Sequence, residues 1–245
     1  IMLKFIALVV MLIDHVGAKL LPQFFFLRII GRLSFPIFAY MVATGAKRTR
    51  DLDIYISRML IFAFISQIPF VYSSPSVSMA DMSLLELSFK SFLPGVTFFA
   101  SPAIIGHPGL NIGFTFCFAL MAIKFINQAK EYKNDRKNVA LSYLGVVAMI
   151  LVAFFLRTDY MMYGVAMVLV FYNFSIEEKS IYPKLIYILP LLINVSTMIV
   201  QSASLLTVPI IKRFKDVAPN MLPRWVYYGF YPAHLLILGI IMRQF

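Results

Sequence analysis

Four ionisable residues, Asp14, His15, Arg28 and Arg32, sit in a stretch otherwise suited to lipid, MLIDHVGAKLLPQFFFLRIIGRLSFPIFAY, residues 11–40. A charged side chain at a bilayer centre costs roughly 2.5–3.5 kcal/mol even on lenient insertion scales. These four must therefore face one another, water or a ligand. A histidine next to a carboxylate can be held in one tautomer and act as a general base. Of the two arginines, one can neutralise Asp14 and pin the two apolar segments together. The other is then left for an anion, because guanidinium matches phosphate and carboxylate. There are three histidines. His107 lies in an irregular segment beside a proline and reads as a solvated loop residue. His15 and His234 lie inside apolar runs, where a structural and a functional role weigh equally for a lone imidazole. The neighbouring aspartate and the two arginines tilt His15 to function.

The elements that position these residues follow from composition. The 245-residue chain is 61% hydrophobic and 13% charged, with a mean hydropathy of +0.84. A soluble domain of this length cannot bury that much apolar surface, so bilayer must cover it. Lipid-facing backbone needs internal hydrogen bonds, which leaves helix bundles or closed barrels. The apolar runs are continuous rather than alternating, so an all-α, polytopic helix bundle is expected. The spans are read at about 2–21, 24–46, 55–72, 111–127, 139–156, 160–174 and 225–241. Residues 185–211 hold one long helix or two short ones. A turn at Pro22 makes the first two spans an antiparallel hairpin, bringing Asp14, His15, Arg28 and Arg32 to similar depth. Arg28 and Arg32, four apart, share a helix face. Pro36 is expected to kink the second span just past them. Residues 73–110 are rich in serine and proline and too irregular for a clean span. A re-entrant or interfacial segment near 80–108 fits them.

The formal net charge of +11 reads as loop cations that fix orientation rather than as a nucleic-acid surface. The loops after the second and fourth spans are basic. That puts the N-terminus in the cytoplasm and the Asp14/His15 cluster toward the outer half. Two short helices within 185–211 would keep Lys212, Arg213 and Lys215 on the cytoplasmic side, giving about nine spans within a range of eight to ten. The single Cys117 excludes an intrachain disulfide and a cysteine-based zinc site. The first span lacks a small-residue cleavage site and reads as retained rather than as a removed signal peptide. No HExxH, GxSxG, Walker or GxGxxG motif is present, no metal is expected, and residues 1–245 read as one membrane domain. Paired intramembrane carboxylates and an evident inverted repeat are both missing, which disfavours a proton-coupled transporter.

Ordered blocks along nearly the whole chain carry a resemblance. They are MLIDHVG (11–17), LRIIGRLSFPIFAY (27–40), ISQIPF (65–70), NIGFT (111–115), DYMMYGV (159–165) and FYPAHLLIL (230–238). With these blocks the chain resembles the TraX family of integral membrane acyltransferases, itself similar to the larger acyltransferase-3 group. The resemblance implies transfer of an acyl group, acetyl by default, from acetyl-CoA to an amine or hydroxyl acceptor such as a protein N-terminus, a glycan or a small molecule. It implies His15 as the catalytic residue, with Asp14 orienting it. It implies Arg28 and Arg32 as holders of the donor's phosphates or acyl carbonyl, and Asn111, Asp159, Tyr163 and His234 as site-lining. A bacterial cytoplasmic membrane suits the basic loops. The alternative from the residues themselves is a transporter or channel for a small anionic solute, using the arginines as its pathway.

Overall fold

The computed structural model describes residues 2–74, 109–174, 176, 203–216 and 223–244. The segment expected to be re-entrant, His107, and most of the stretch on which the span count turns lie outside the described residues.

The leading helix, α1 (Met2–Lys19), rises about 27 Å at 1.5 Å per residue. Its buried residues Leu3, Ala7, Met11, Asp14 and Gly17 recur at three- and four-residue spacing, so Asp14 sits on the helix's protein-facing side. The second apolar span is two helices, α2 (Phe25–Gly31) and α3 (Ser34–Arg48). The break at Arg32–Leu33 has a local cause. A proline ring collides with the carbonyl four residues earlier, and four residues before Pro36 is Arg32. The expected kink is therefore an interruption, with Leu33 N–H donating to the Ile30 carbonyl at 3.1 Å. It turns Arg32 out of regular helix at the level where α1 carries Asp14.

Three later helices begin earlier or more sharply than hydropathy alone places them, because side chains cap them. Asp51 accepts from the Ile54 N–H at the start of α4 (Leu52–Tyr72). Asn111 accepts from Gly113 N–H at the start of α5 (Ile112–Glu131). Asp135 accepts from Lys137 and Asn138 N–H at the start of α6 (Arg136–Phe155). The shorter α7 (Met161–Asn173) follows. A 3₁₀ turn, Ala203–Leu206, leads into α8 (Thr207–Phe214), and α9 (Arg224–Met242) ends the described chain.

Among the described residues, five helical segments are long and apolar enough to cross a bilayer: Phe25–Arg48, Leu52–Tyr72, Ile112–Glu131, Arg136–Phe155 and Trp225–Met242. Among the described residues, extended pairing is limited to an isolated bridge between Leu110 and Thr158. The protein is an all-α bundle with the composition of an integral membrane protein. Within it α5 is central, with 61% of its apolar window buried, and α6 is peripheral, with 11%. Leu141, Leu144, Val147 and Leu151 of α6 are left as lipid-facing surface. Between lipid-soluble helices, close packing replaces the hydrophobic drive, which favours small residues at contacts. Ala43 of α3 and Ala119 and Ala122 of α5 are fully buried in the main core.

Two glycines set the approach of α1 to α2. A Cβ on Gly17 would lie 2.6 Å from the Leu27 Cβ, and one on Gly31 would run into the Asp14 carboxyl. Gly31→Ala is expected to destabilise the fold by about 1–3 kcal/mol through overpacking, read as a lower Tm in detergent. Gly229 has nothing within 4 Å of an added Cβ. Gly229→Ala is the matched control and should hold or raise Tm, since alanine favours helix by up to about 1 kcal/mol over glycine.

Candidate functional site

The hairpin of α1 with α2 divides the two arginines. Arg28 Nη1 donates to Asp14 Oδ1 at 2.7 Å and to the Asp14 carbonyl at 3.2 Å. Arg32 reaches instead across the bundle, where its Nη1 lies 3.3 Å from the Tyr160 hydroxyl. The Arg32 Nε is buried with no partner among the described residues, so one donor edge of this guanidinium is left over. The expected split, one arginine for Asp14 and one to spare, is the arrangement found.

His15 is placed differently from expectation. Asp14 does not orient it, because the Asp14 carboxylate is turned to Arg28 and backs onto Gly31. The partner of His15 is His234, from the other end of the chain. His15 Nδ1 lies 2.6 Å from His234 Nε2. The rings are nearly coplanar, 8° apart, with centroids separated by 4.9 Å. That is an edge-to-edge N–H···N contact, since rings stacked face to face would not bring two nitrogens so close. His234 Nδ1 in turn lies 2.7 Å from the Phe230 carbonyl, one turn back in α9.

This chain of contacts fixes the tautomers of the neutral pair. A carbonyl only accepts, so His234 Nδ1 carries a proton. Its Nε2 is then bare and accepts from His15 Nδ1–H. The bare nitrogen of His15 is consequently Nε2.

His15 lines a cavity of about 840 Å³ shared by α1, α2, α3, α4, α5 and α9. At the His15 level its walls include Asp14, Lys19, Arg28, Arg32, Asp159 and Tyr160. Asp159 and Tyr160 arrive on a turn between α6 and α7 whose backbone is unusual. Arg157, Tyr160 and Met161 have φ of 50°, 64° and 42°, a region that side-chain-bearing residues seldom occupy and that must be held from outside. The turn is held by Asp159 N–H donating to the Leu110 carbonyl at 2.8 Å and by the Thr115 hydroxyl donating to the Asp159 carbonyl. Its product is the Tyr160 ring stacked on Phe35, centroids 3.9 Å apart, with the hydroxyl at Arg32. Asp159 lies outside the spanning helices. Burial there pushes its carboxyl up to about 6, opposed by the Arg32 charge. Lys19 donates to the Ser73 carbonyl and ties the end of α1 to the end of α4.

Of the sequence candidates, His15, Asp14, Arg28, Arg32 and Asp159 therefore meet at one cavity, and His234 stands directly behind His15. Asn111 does not reach it. Fully buried, it donates to the Ala63 carbonyl at 2.7 Å and to Gln67 Oε1 at 2.8 Å, and it caps α5. It clamps α4 to α5 and is not a ligand-facing residue. Tyr163 lies one layer back, its ring 5.6 Å from Phe35 and 6.0 Å from Tyr160, and supports the wall. At the level of His15, the cavity also takes in Tyr160 and Lys19, which are not among the sequence candidates. Lys19, on the histidine's own helix, was within reach of helical spacing; Tyr160 stands inside the DYMMYGV block, between the candidates Asp159 and Tyr163. Among the described residues no group of three His, Cys, Asp or Glu could hold a metal ion.

The sequence model of the family described as TraX protein matches residues 1–85 and 96–242, and the chain belongs to that family. Comparison with curated proteins and with solved structures gave no match.

The Asp14–Arg28 pair predicts a double-mutant outcome. Removing one member of a buried pair costs about 3–5 kcal/mol; because the Arg28 side chain is 26% exposed, about 1–3 kcal/mol is expected for Asp14→Asn. Adding Arg28→Gln should restore part of the lost Tm. Strict additivity of the two substitutions would contradict the pairing.

Proposed function

We propose that this member of the TraX family is a membrane-embedded acyltransferase that moves an acyl group, acetyl by default, from acetyl-CoA to an amine or hydroxyl acceptor. The observation that carries this reading is the relay from the Phe230 carbonyl through His234 to His15, ending in a bare Nε2 on a residue that lines a large cavity. Such a nitrogen suits removal of a proton from an attacking nucleophile.

The acceptor N–H or O–H gives its proton to His15 Nε2 while its nitrogen or oxygen forms a bond to the thioester carbon. The positive charge on His15 is shared with His234, whose Nε2 accepts from His15 Nδ1–H. The carbonyl oxygen becomes an oxyanion, for which Arg32 with its unused Nε–H, and the Tyr160 hydroxyl, are donors in the same wall. Collapse breaks the carbon–sulfur bond. The CoA thiolate leaves and takes back the proton from His15, returning the relay to its starting tautomers. General base catalysis of this kind contributes typically about 10²–10⁴-fold.

The same arginines would serve an anion pathway, and the cavity's cationic lining is the observation that keeps this second reading in view. The two separate on His15, since a pathway for an anion tolerates its loss and acyl transfer does not. Thiol release from acetyl-CoA in membranes carrying the protein should fall by about 10²-fold or more in His15→Ala, at unchanged Tm. His234→Ala should fall less, by about tenfold or more, because a base without its partner loses tautomer and orientation rather than the nitrogen itself. Detergent-purified wild type should melt higher with acetyl-CoA, by mass action, and not with AMP. Equal thiol release by wild type and His15→Ala would defeat the acyltransferase reading.

A further inference from the structure

The cavity does not end at His15. Its lining continues down α1 to Lys4, and at that level it takes in Arg48 at the end of α3 and Arg58 in the first turns of α4. Lys4 and His15 are eleven residues apart on one helix, so the cavity extends along about 16 Å of helical rise. Between the two levels the walls are mainly apolar, formed by Leu8, Met11, Phe38, Met41 and Phe62, with Tyr231 among them. The shape is a basic mouth, an apolar stem and a polar chamber with a base in it.

All three mouth cations are exposed, and none pairs with a carboxylate among the described residues. The nearby acids are otherwise engaged: Asp51 caps α4 through the Ile54 N–H, and Asp53 pairs with Lys124 at 2.5 Å. Among the described residues Lys4 has the face of Tyr227, 5.3 Å from Nζ to the ring centroid. Three unpaired cations around one opening attract a polyanion. Their end of the bundle also carries Lys47, Lys130, Lys133, Arg136 and Lys137, the signature of a cytoplasmic face.

We infer that Lys4, Arg48 and Arg58 bind the phosphate groups of a nucleotide-linked acyl donor at the cytoplasmic mouth, and that the donor's flexible arm runs up the apolar stem to present its thioester at His15. This rests on the acyl-donor reading above and gives it a direction. The donor stays on the side where it is made, and only the acyl end reaches the outer half of the membrane. A phosphate-bearing lipid headgroup offers the same charge chemistry. The nucleotide donor is favoured because the mouth opens onto a stem leading to a base.

The test is CoA binding to protein in neutral phosphatidylcholine nanodiscs, comparing wild type, Arg48→Gln/Arg58→Gln, Lys4→Gln, and a control with equal charge loss at the same face, Lys133→Gln/Lys137→Gln. The mouth variants should bind CoA at least tenfold more weakly, with a shallower dependence on salt. The control should match wild type, and all variants should bind pantetheine, which lacks the nucleotide, as wild type does. His15→Ala should still bind CoA. The inference is overturned if CoA binds wild type and the mouth variants equally, which leaves the acyl-donor reading intact. It is likewise overturned if the mouth substitutions weaken binding of added phosphatidylglycerol but not of CoA, the mark of a lipid site. Absence of CoA binding by wild type would remove the donor reading together with this one.

Discussion

An ionised group inside a bilayer is costly unless it is paired, and for Asp14 that constraint is met by its contact with Arg28. It holds α1 and α2 at fixed depth, and Gly31 exists at the contact because the Asp14 carboxyl occupies the space a side chain would need. The pair also decides what is left over. With Asp14 satisfied by Arg28, Arg32 turns away at the Pro36-induced break and meets Tyr160, keeping a buried Nε without a partner among the described residues. The spare donor and the imidazole of His15 then share a chamber. Structural pairing and chemical availability are two outcomes of the same arrangement.

The histidine pair solves a different problem. A single neutral imidazole can carry its proton on either nitrogen, and a base needs one of them bare and correctly aimed. Here the tautomer is dictated from the backbone outward, Phe230 carbonyl to His234 to His15, with no carboxylate in the chain. A neutral partner suits this setting, since a second uncompensated charge beside Arg32 and Lys19 would be costly in lipid. Asp14, adjacent in sequence, is excluded from the role by its own partner.

Much of the bundle was legible in the sequence because hydropathy and charge act locally. The helices, the turn at Pro22, the disruption at Pro36 and the division of labour between Arg28 and Arg32 follow from composition, spacing and the cost of burying charge. Residues that act at long range were not legible in the same way. His15 and His234 are 219 positions apart, and nothing near either one announces the other. Asn111 sits in a family block, but its polar atoms are consumed by Gln67, Ala63 and the α5 N-terminus, a role set by tertiary packing. In the sequence Tyr160 stands at the start of an expected span. Its left-handed backbone is imposed by Leu110 and Thr115 from another part of the chain, so local propensity carries no trace of it.

His234 fixes the tautomer of His15, so that its bare nitrogen is Nε2, on a side chain that lines the cavity. The chain has three histidines, so ¹⁵N-histidine NMR on a His107→Gln background isolates the two that matter. The account predicts at neutral pH a His234 protonated at Nδ1, a His15 protonated at Nδ1 and bare at Nε2, and a shift of the His15 Nε2 signal when CoA is added. A His15 protonated at Nε2 with Nδ1 bare, or one whose signals ignore CoA that is demonstrably bound, would contradict it.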